Sequence, residues 1–221
     1  MFILGISSAT KVISLGLVEE NKVLLETTLA NVQTERIMFY LKEAGIEPKQ
    51  IEGVAVAVGP GSYSGLRGGL ATAKALAQTL NIPLASVSTL EAIAYNLIGI
   101  EGTIAVILDA RADEYNFALF GASFGKLKRL TEDLVIKFEQ LLSKLQKITG
   151  DIYLVGNLDQ IRKENLLTHK NFHFADEVHS HPYGINVARI GWIRIKAGKI
   201  DDPLTLVPRY SHKPTFKEFN W

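Results

Sequence analysis

Val54-Ala-Val-Ala-Val58, running on into Gly59-Pro-Gly-Ser-Tyr-Ser-Gly-Leu-Arg67, decides how this chain is read. A short, wholly apolar, Val-rich run is the pattern of a strand buried on both faces. Gly59, Pro60 and Gly61 then enforce a tight turn, because Gly admits φ > 0 and Pro fixes φ. Ser62 or Ser64 can cap the next segment, and residues 66–80 are good helix formers apart from Gly68 and Gly69. The stretch therefore predicts strand, glycine-rich turn, helix, with free backbone N–H groups where the helix begins. Such a turn suits an anion, and Gly59, Gly61, Ser62 and Arg67 are its candidate residues.

Known nucleotide motifs do not match it. A Walker loop ends Gly-Lys-Ser/Thr, whereas this one ends Gly65-Leu66-Arg67. The dinucleotide fingerprint needs its third Gly one residue earlier than Gly65, and no acid ends the next short strand at Val87. The hydrolase elbow needs Gly-x-Ser-x-Gly, which Gly61-Ser62-Tyr63-Ser64-Gly65 does not supply. The alternative is a loop whose glycines serve close packing only.

The helix carries a second signal. Gly65, Gly69, Ala73 and Ala77 recur every four residues, with Gly68, Thr72 and Leu76 beside them. A row of small side chains lets another backbone come close. Each Gly inside a helix costs roughly 1 kcal/mol relative to Ala, so close packing is what the row is for. It can pack on the protein's own sheet or on a helix of another chain.

Composition narrows the function classes. The chain has 221 residues, 47% of them hydrophobic, enough for one large domain or two small ones. A net charge of +1 gives no electrostatic case for direct nucleic-acid or membrane binding, and Lys213 and Lys217 are too few for an RNA patch. With no Cys there is no disulfide, thiol nucleophile or Cys-based metal site. Met1-Phe-Ile-Leu-Gly-Ile6 lacks a basic region and a long apolar run, so a cytoplasmic protein is expected. His169 and His173 are four apart, but residues 171–174 read as a strand and no carboxylate joins them, so no metal site is expected.

Element order supplies the fold. Strands are expected at 2–7, 12–19 and 22–29, then an amphipathic helix at 34–44 with Ile37, Met38 and Leu41 on one face. The Val54 strand, the small-residue helix, a strand at 84–87 and a helix opened by Ser88-Thr-Leu-Glu91 complete a first half. After Gly99–Gly102 the order recurs: strands at 103–109, 115–120 and 126–130, a helix at 138–146, a strand at 152–155, a helix at 158–167, a strand at 171–174 and a helix at 185–197. Residues 201–221 form an extended tail docked by Leu204, Leu206, Val207 and Tyr210. The expectation is an α/β protein of two βββαβαβα halves, residues 1–100 and 101–221. This order resembles the ribonuclease-H-like half-domain, and its doubling resembles the actin, Hsp70 and sugar-kinase (ASKHA) layout.

That resemblance implies a test. ATP-using members of the superfamily hold phosphates between two hairpin loops, each after a strand ending in Asp. Here the first strand ends in Ser7-Ser8, and a hydroxyl is a poor Mg²⁺ ligand. The second ends in Asp109-Ala-Arg111, which keeps one carboxylate, and Gly156-Asn157 keeps a single Gly at the adenosine turn. No tightly bound cofactor is expected, and any ATP or ADP would be held weakly or at an interface.

Gly59-Pro-Gly-Ser-Tyr-Ser-Gly-Leu-Arg-Gly68, Val87-Ser-Thr-Leu-Glu-Ala92 and Asp109-Ala-Arg-Ala-Asp-Glu-Tyr115 resemble, in order and spacing, the bacterial TsaB (YeaZ) family. Glu35-Arg36 fits as well. The departures are Ser7-Ser8 for the usual Asp-Thr, Gln33 for a usual His, and a loose match at Pro208-Arg-Tyr-Ser211. The resemblance implies a subunit without a catalytic site. It would pair with a TsaD-like transferase that places threonylcarbamoyl on the adenosine beside the tRNA anticodon, a TsaE-like ATPase would join, and tRNA would be met only through the complex. It also implies a partner surface on helices of the first half, used for a homodimer when the protein is alone. On this sequence that surface is Glu35, Met38, Leu41, Gly65, Gly69, Thr72, Ala73, Leu76 and Ala77. An independent actin-like or sugar-kinase-like ATPase is the alternative, resting on Asp109 alone.

Overall fold

The computed structural model describes residues 1–20, 22–30, 33–111 and 113–212. The first sheet is built from β1 (Phe2–Ser7), β2 (Val12–Glu19) and β3 (Lys22–Ala30), an antiparallel meander, then β4 (Gly53–Gly59) and β5 (Leu84–Ser88), added parallel to β1. Its order is β3-β2-β1-β4-β5. Between the strands run α1 (Ile37–Glu43), α2 (Tyr63–Leu80) and, after β5, α3 (Thr89–Ala94). The helix expected at 34–44 begins as a 3-10 turn, Thr34–Arg36, because Gln33 offers no side-chain cap.

The second sheet repeats the plan with β6 (Gly102–Arg111), β7 (Glu114–Ser123), β8 (Lys126–Arg129), β9 (Leu134–Lys137), β10 (Ile152–Gly156) and β11 (Phe172–Phe174). Read from β8, its order β8-β7-β6-β10-β11 matches the first sheet position for position, with β9 also paired to β7. The sequence reading gave β9 no element. β8 pairs with Phe120–Ser123 of β7 and β9 with Glu114–Phe117 of the same strand, so two short pieces fill the place that β3 fills alone. Helices α4 (Phe138–Leu145), α5 (Gln160–Leu167) and α6 (Gly184–Lys196) complete the chain.

Strict alternation along β4 sorts its residues between two layers. Val54, Val56 and Val58 join the core under α1 and α2, while Ala55 and Ala57 face α6. Although α6 follows β11 in sequence, it covers the first sheet. A Cβ on Gly16 would lie 2.2 Å from the Ile185 nitrogen, and one on Gly191 would lie 2.2 Å from Ala55 Cβ. The helix therefore rests directly on strand backbone. In the other direction, α3 belongs to the first half but sends Leu90, Ile93 and Ala94 into a core with Ile104, Val106 and Phe120 of the second sheet. Each half thus lends its last helix to a neighbour, and the lobes interlock. Among the described residues no helix is long and apolar enough to cross a membrane.

Candidate functional site: a helix face and an inter-lobe crevice

The glycine-rich turn is filled by the chain's own backbone. Ser62 caps α2 by accepting from the Gly65 nitrogen (3.4 Å), and the Ser62 N–H donates to the Ala9 carbonyl at 2.7 Å. A Cβ on Gly61 would meet the Ala9 carbonyl at 2.2 Å, and one on Gly65 the Ser8 carbonyl at 2.1 Å. Ser8 Oγ in turn donates to the Gly65 carbonyl at 2.7 Å. Gly59, at φ 126°, faces the Arg209 carbonyl, and the Arg209 N–H donates to the Val58 carbonyl at 2.7 Å. These glycines seat the β1–β2 turn and the tail. At Gly59 and Gly61, named above among the anion candidates, the glycines make chain-on-chain packing contacts. The Gly156 turn is closed the same way, against the Ile107 carbonyl.

The small-residue row also turns inward. Gly65, Gly69, Ala73, Leu76 and Ala77 are all buried, and Gly69 lies against Ser8 and Ile6. Leu41 is 1% exposed and sits in the same core. As a surface for another chain, these residues are a correction: a face that packs on its own sheet is not available to a partner. Thr72 is half-buried and its hydroxyl donates to the Gly68 carbonyl at 3.0 Å. The Glu35 side chain lies outside the described residues.

What α1 and α2 do present is their opposite face. Met38 (42% exposed) and Phe39 (47%) project from α1, and Arg36 stacks over the Phe39 ring at 4.8 Å. On α2 the exposed positions are Ser64, Arg67, Ala71, Ala75, Gln78 and Thr79. Gly68 contacts Thr34, which seats the lead-in to α1 beside the first turns of α2. At the head of α2, Tyr63 (46% exposed) carries Arg67 over its ring at 4.1 Å. Tyr210 stacks on Tyr63 at 4.9 Å, and Arg67 Nε donates to its hydroxyl at 3.0 Å. Of this face the sequence reading singled out Met38 and Arg67, took Arg36 and Phe39 only within the stretch 35–41, and quoted Tyr63 only within the glycine motif. The signal was there: Tyr63 and Arg67 are four residues apart and Arg36 and Phe39 three, spacings that bring side chains together on one helix face.

Between the lobes lies a crevice. Ser7 ends β1 with its hydroxyl buried and without a hydrogen-bond partner among the described residues. In β6, the strand of the second sheet that corresponds to β1, Asp109 is exposed and accepts from the Arg111 nitrogen at 3.3 Å. Arg111 (φ 84°) and Asp113 (φ 61°) hold the left-handed conformations of a tight hairpin end. Among the described residues the charges there bind neighbours outside the hairpin end. Asp113 binds Arg162 of α5 at 2.8 Å, Arg162 also binds Asp159 at 2.6 Å, and Glu114 lies 3.6 Å from His212. Hydrogen bonds from Arg162 hold the Asp159 carboxyl below its ordinary range. Deeper, a cavity of about 270 Å³ is lined by Ser88, Glu91, Arg129, Asp133 and Arg194. Glu91 of α3 binds both Arg129 of β8 and Arg194 of α6, and Arg129 binds Asp133 at 2.6 Å. This network ties the lobes together with its charges compensated.

His169 and His173 go to separate neighbours. The first meets Gln146 at 3.1 Å and the second Asp151 at 2.8 Å. Among the described residues no three His, Asp or Glu side chains converge as a metal site. In the tail, Leu206 packs on the first core, but Leu204 (76% exposed) and Val207 (66%) do not dock as expected. The segment is held by polar anchors. Lys213 and Lys217 lie outside the described residues.

The doubled sheet order, the exchanged last helices and the cavity between the lobes define a two-lobed α/β protein of the actin and sugar-kinase layout. A ROK hexokinase of Thermus thermophilus shares this fold, with a TM-score of 0.52 at 11% identity over 89% of this chain and 100% of that one. YeaZ from Pseudomonas aeruginosa superposes more closely, with a TM-score of 0.76 at 19% identity, covering 95% of this chain and 99% of that one. In sequence, residues 29–190 match the family model described as TsaD, tRNA N6-adenosine threonylcarbamoyltransferase. The tRNA threonylcarbamoyladenosine biosynthesis protein TsaB of Bacillus subtilis is 30% identical over 181 residues, 78% of this chain and 79% of that protein. The chain belongs to the TsaB (YeaZ) family.

Proposed function

We propose that this protein is a non-catalytic subunit in tRNA threonylcarbamoyladenosine synthesis. It docks and activates a TsaD-like transferase, a TsaE-like ATPase joins, and tRNA is met only through the complex. The observation that carries this reading is the outward face of α1 and α2. Met38, Phe39 and Tyr63 are large, apolar and exposed there, around the small side chains Ser64, Ala71 and Ala75. Exposed aromatic and Arg side chains are the composition of an interface hot spot. Family membership supports the choice of partner. Ser7 in place of a carboxylate, with the glycine turn already filled, supports the non-catalytic role. In the absence of the partner, the same face serves a homodimer.

Size-exclusion chromatography with light scattering tests it, on the protein alone and mixed with TsaD from the same source. A one-to-one mixed peak is expected, and Met38→Asp should weaken it by about tenfold or more. Absence of any mixed peak, with or without TsaE and nucleotide, would sink the proposal.

A further inference from the structure

The segment after α6 crosses the whole molecule on polar anchors. The Asp201 N–H donates to the Leu84 carbonyl at 2.8 Å, and its carboxylate accepts from the Ser86 nitrogen at 2.6 Å. Lys74 of α2 reaches the Leu206 carbonyl at 3.1 Å. The Arg209 nitrogen is held by Val58. Ser211 Oγ then donates to Asn116 Oδ1 at 2.7 Å, and His212 lies 3.0 Å from the Ala110 carbonyl. Asn116 is buried in β7 of the second lobe, and Ala110 belongs to β6. Thus residues 206–212 start on the first lobe and end on the second. Along the way Tyr210 enters the Tyr63–Arg67 stack at the end of the exposed α1–α2 face.

Few apolar side chains hold this segment. Leu206 and Tyr210 pack on core clusters, while Val207 and Arg209 are exposed. A segment with little buried apolar surface opens at lower free energy than the whole fold.

We propose that residues 206–212 are a releasable strap whose seating is coupled to partner binding on the α1–α2 face. This rests on the docking proposal and adds a regulator to it. Seated, the strap fixes Tyr210 beneath Tyr63 and Arg67 and pins the β6–β7 hairpin to the first lobe. Released, it frees both. A partner that prefers the seated stack must therefore hold the strap down, lowering its opening by the ratio of the partner's affinities for the seated and released states.

The test uses the full-length chain and two variants. Ser211→Ala removes an anchor on the second lobe, well outside the α1–α2 face. Tyr210→Phe removes only the hydroxyl that Arg67 reaches. Hydrogen exchange is followed by mass spectrometry in the peptide covering 206–212, and TsaD affinity is measured in parallel. Loss of one net hydrogen bond predicts roughly threefold to tenfold faster exchange in each variant. Saturating TsaD should slow exchange of the strap in the wild type and in both variants, and affinity for TsaD should fall only in a variant whose strap is mostly released. Exchange of the strap that ignores saturating TsaD overturns the coupling. Exchange unchanged in both variants overturns the strap itself. If the wild type forms no complex with TsaD, the docking reading fails and takes the coupling with it.

Discussion

At Glu26 a single carboxylate holds the start of α6. It accepts from the Ile185 nitrogen at 2.7 Å and from the Ser14 hydroxyl, while Ser14 Oγ accepts from the Gly184 nitrogen at 2.7 Å. An acid at a helix N-terminus is favourable. Burial nonetheless pushes the Glu26 carboxyl above its ordinary range, against the hydrogen bonds from Ser14, Ile185 and Gly184 that pull it down. Between the ordinary value of 4.5 and the raised one, the folded state binds more protons than the unfolded state. Stability from this group is therefore present below the ordinary value and declines as pH rises through the folded one. Urea midpoints taken in small steps upward from pH 4 should show this decline in the wild type and not in Glu26→Gln. Equal slopes in both proteins would place the dependence elsewhere. Gly16, beside the same helix end, makes a steric prediction. A Cβ there would press on the backbone of Ile185, so Gly16→Ala should cost at least about 2 kcal/mol in chemical denaturation, whereas Gly125→Ala, with open space and φ 69°, should cost less.

At the scale of elements, α2 shows what a pattern can and cannot say. Residues Gly65, Gly69, Ala73 and Ala77 announced close approach, and close approach is what they make, to Ser8 and Ile6 of the chain's own sheet. The pattern carried no information about which neighbour approaches, because the opposite face of α2 is small as well: Ser64, Gly68, Ala71 and Ala75. Burial separates the two faces and yields a paired prediction. Ala73, fully buried, should not tolerate Trp, and the variant should lose its cooperative unfolding transition. Ala71, exposed, should accept Trp with a melting temperature within a few degrees of wild type, yet lose the mixed peak with TsaD. Reversal of those two phenotypes would put the docking face on the other side of the helix. The strands were more legible. Alternation and Val-rich runs gave nearly every one, and β9 escaped because four residues of Leu-Val-Ile-Lys after a short polar break look like a connection. The aromatic–guanidinium stack escaped because its third member, Tyr210, is 143 residues from Arg67.

For the whole molecule, the sequence revealed a doubled element order but not how the two copies hold each other. The apolar residues of α6, Val187, Ala188 and Ile190, suit either sheet by composition. Only the glycines of β1, β2 and α6 itself, read as a steric match, assign it to the first. Sequence periodicity cannot make that match, since it describes one face at a time. The consequence is thermodynamic. Removing α6 strips one face from the first sheet, and removing α3 strips the second-lobe core of Leu90, Ile93 and Ala94. Glu91 then adds ion pairs to Arg129 and Arg194, half-shielded from solvent and joining α3 to β8 and α6. Neither lobe has a complete core without the other. Calorimetry should therefore record one endotherm, with calorimetric and van't Hoff enthalpies equal. Glu91→Ala leaves Arg194 without its carboxylate and Arg129 with Asp133 only, so it should lower the melting temperature without splitting the transition. Two separated endotherms in the wild type would mean that the exchanged helices are ornaments on lobes that fold alone. One endotherm means that the two lobes unfold as a single cooperative unit, each completing the other's core.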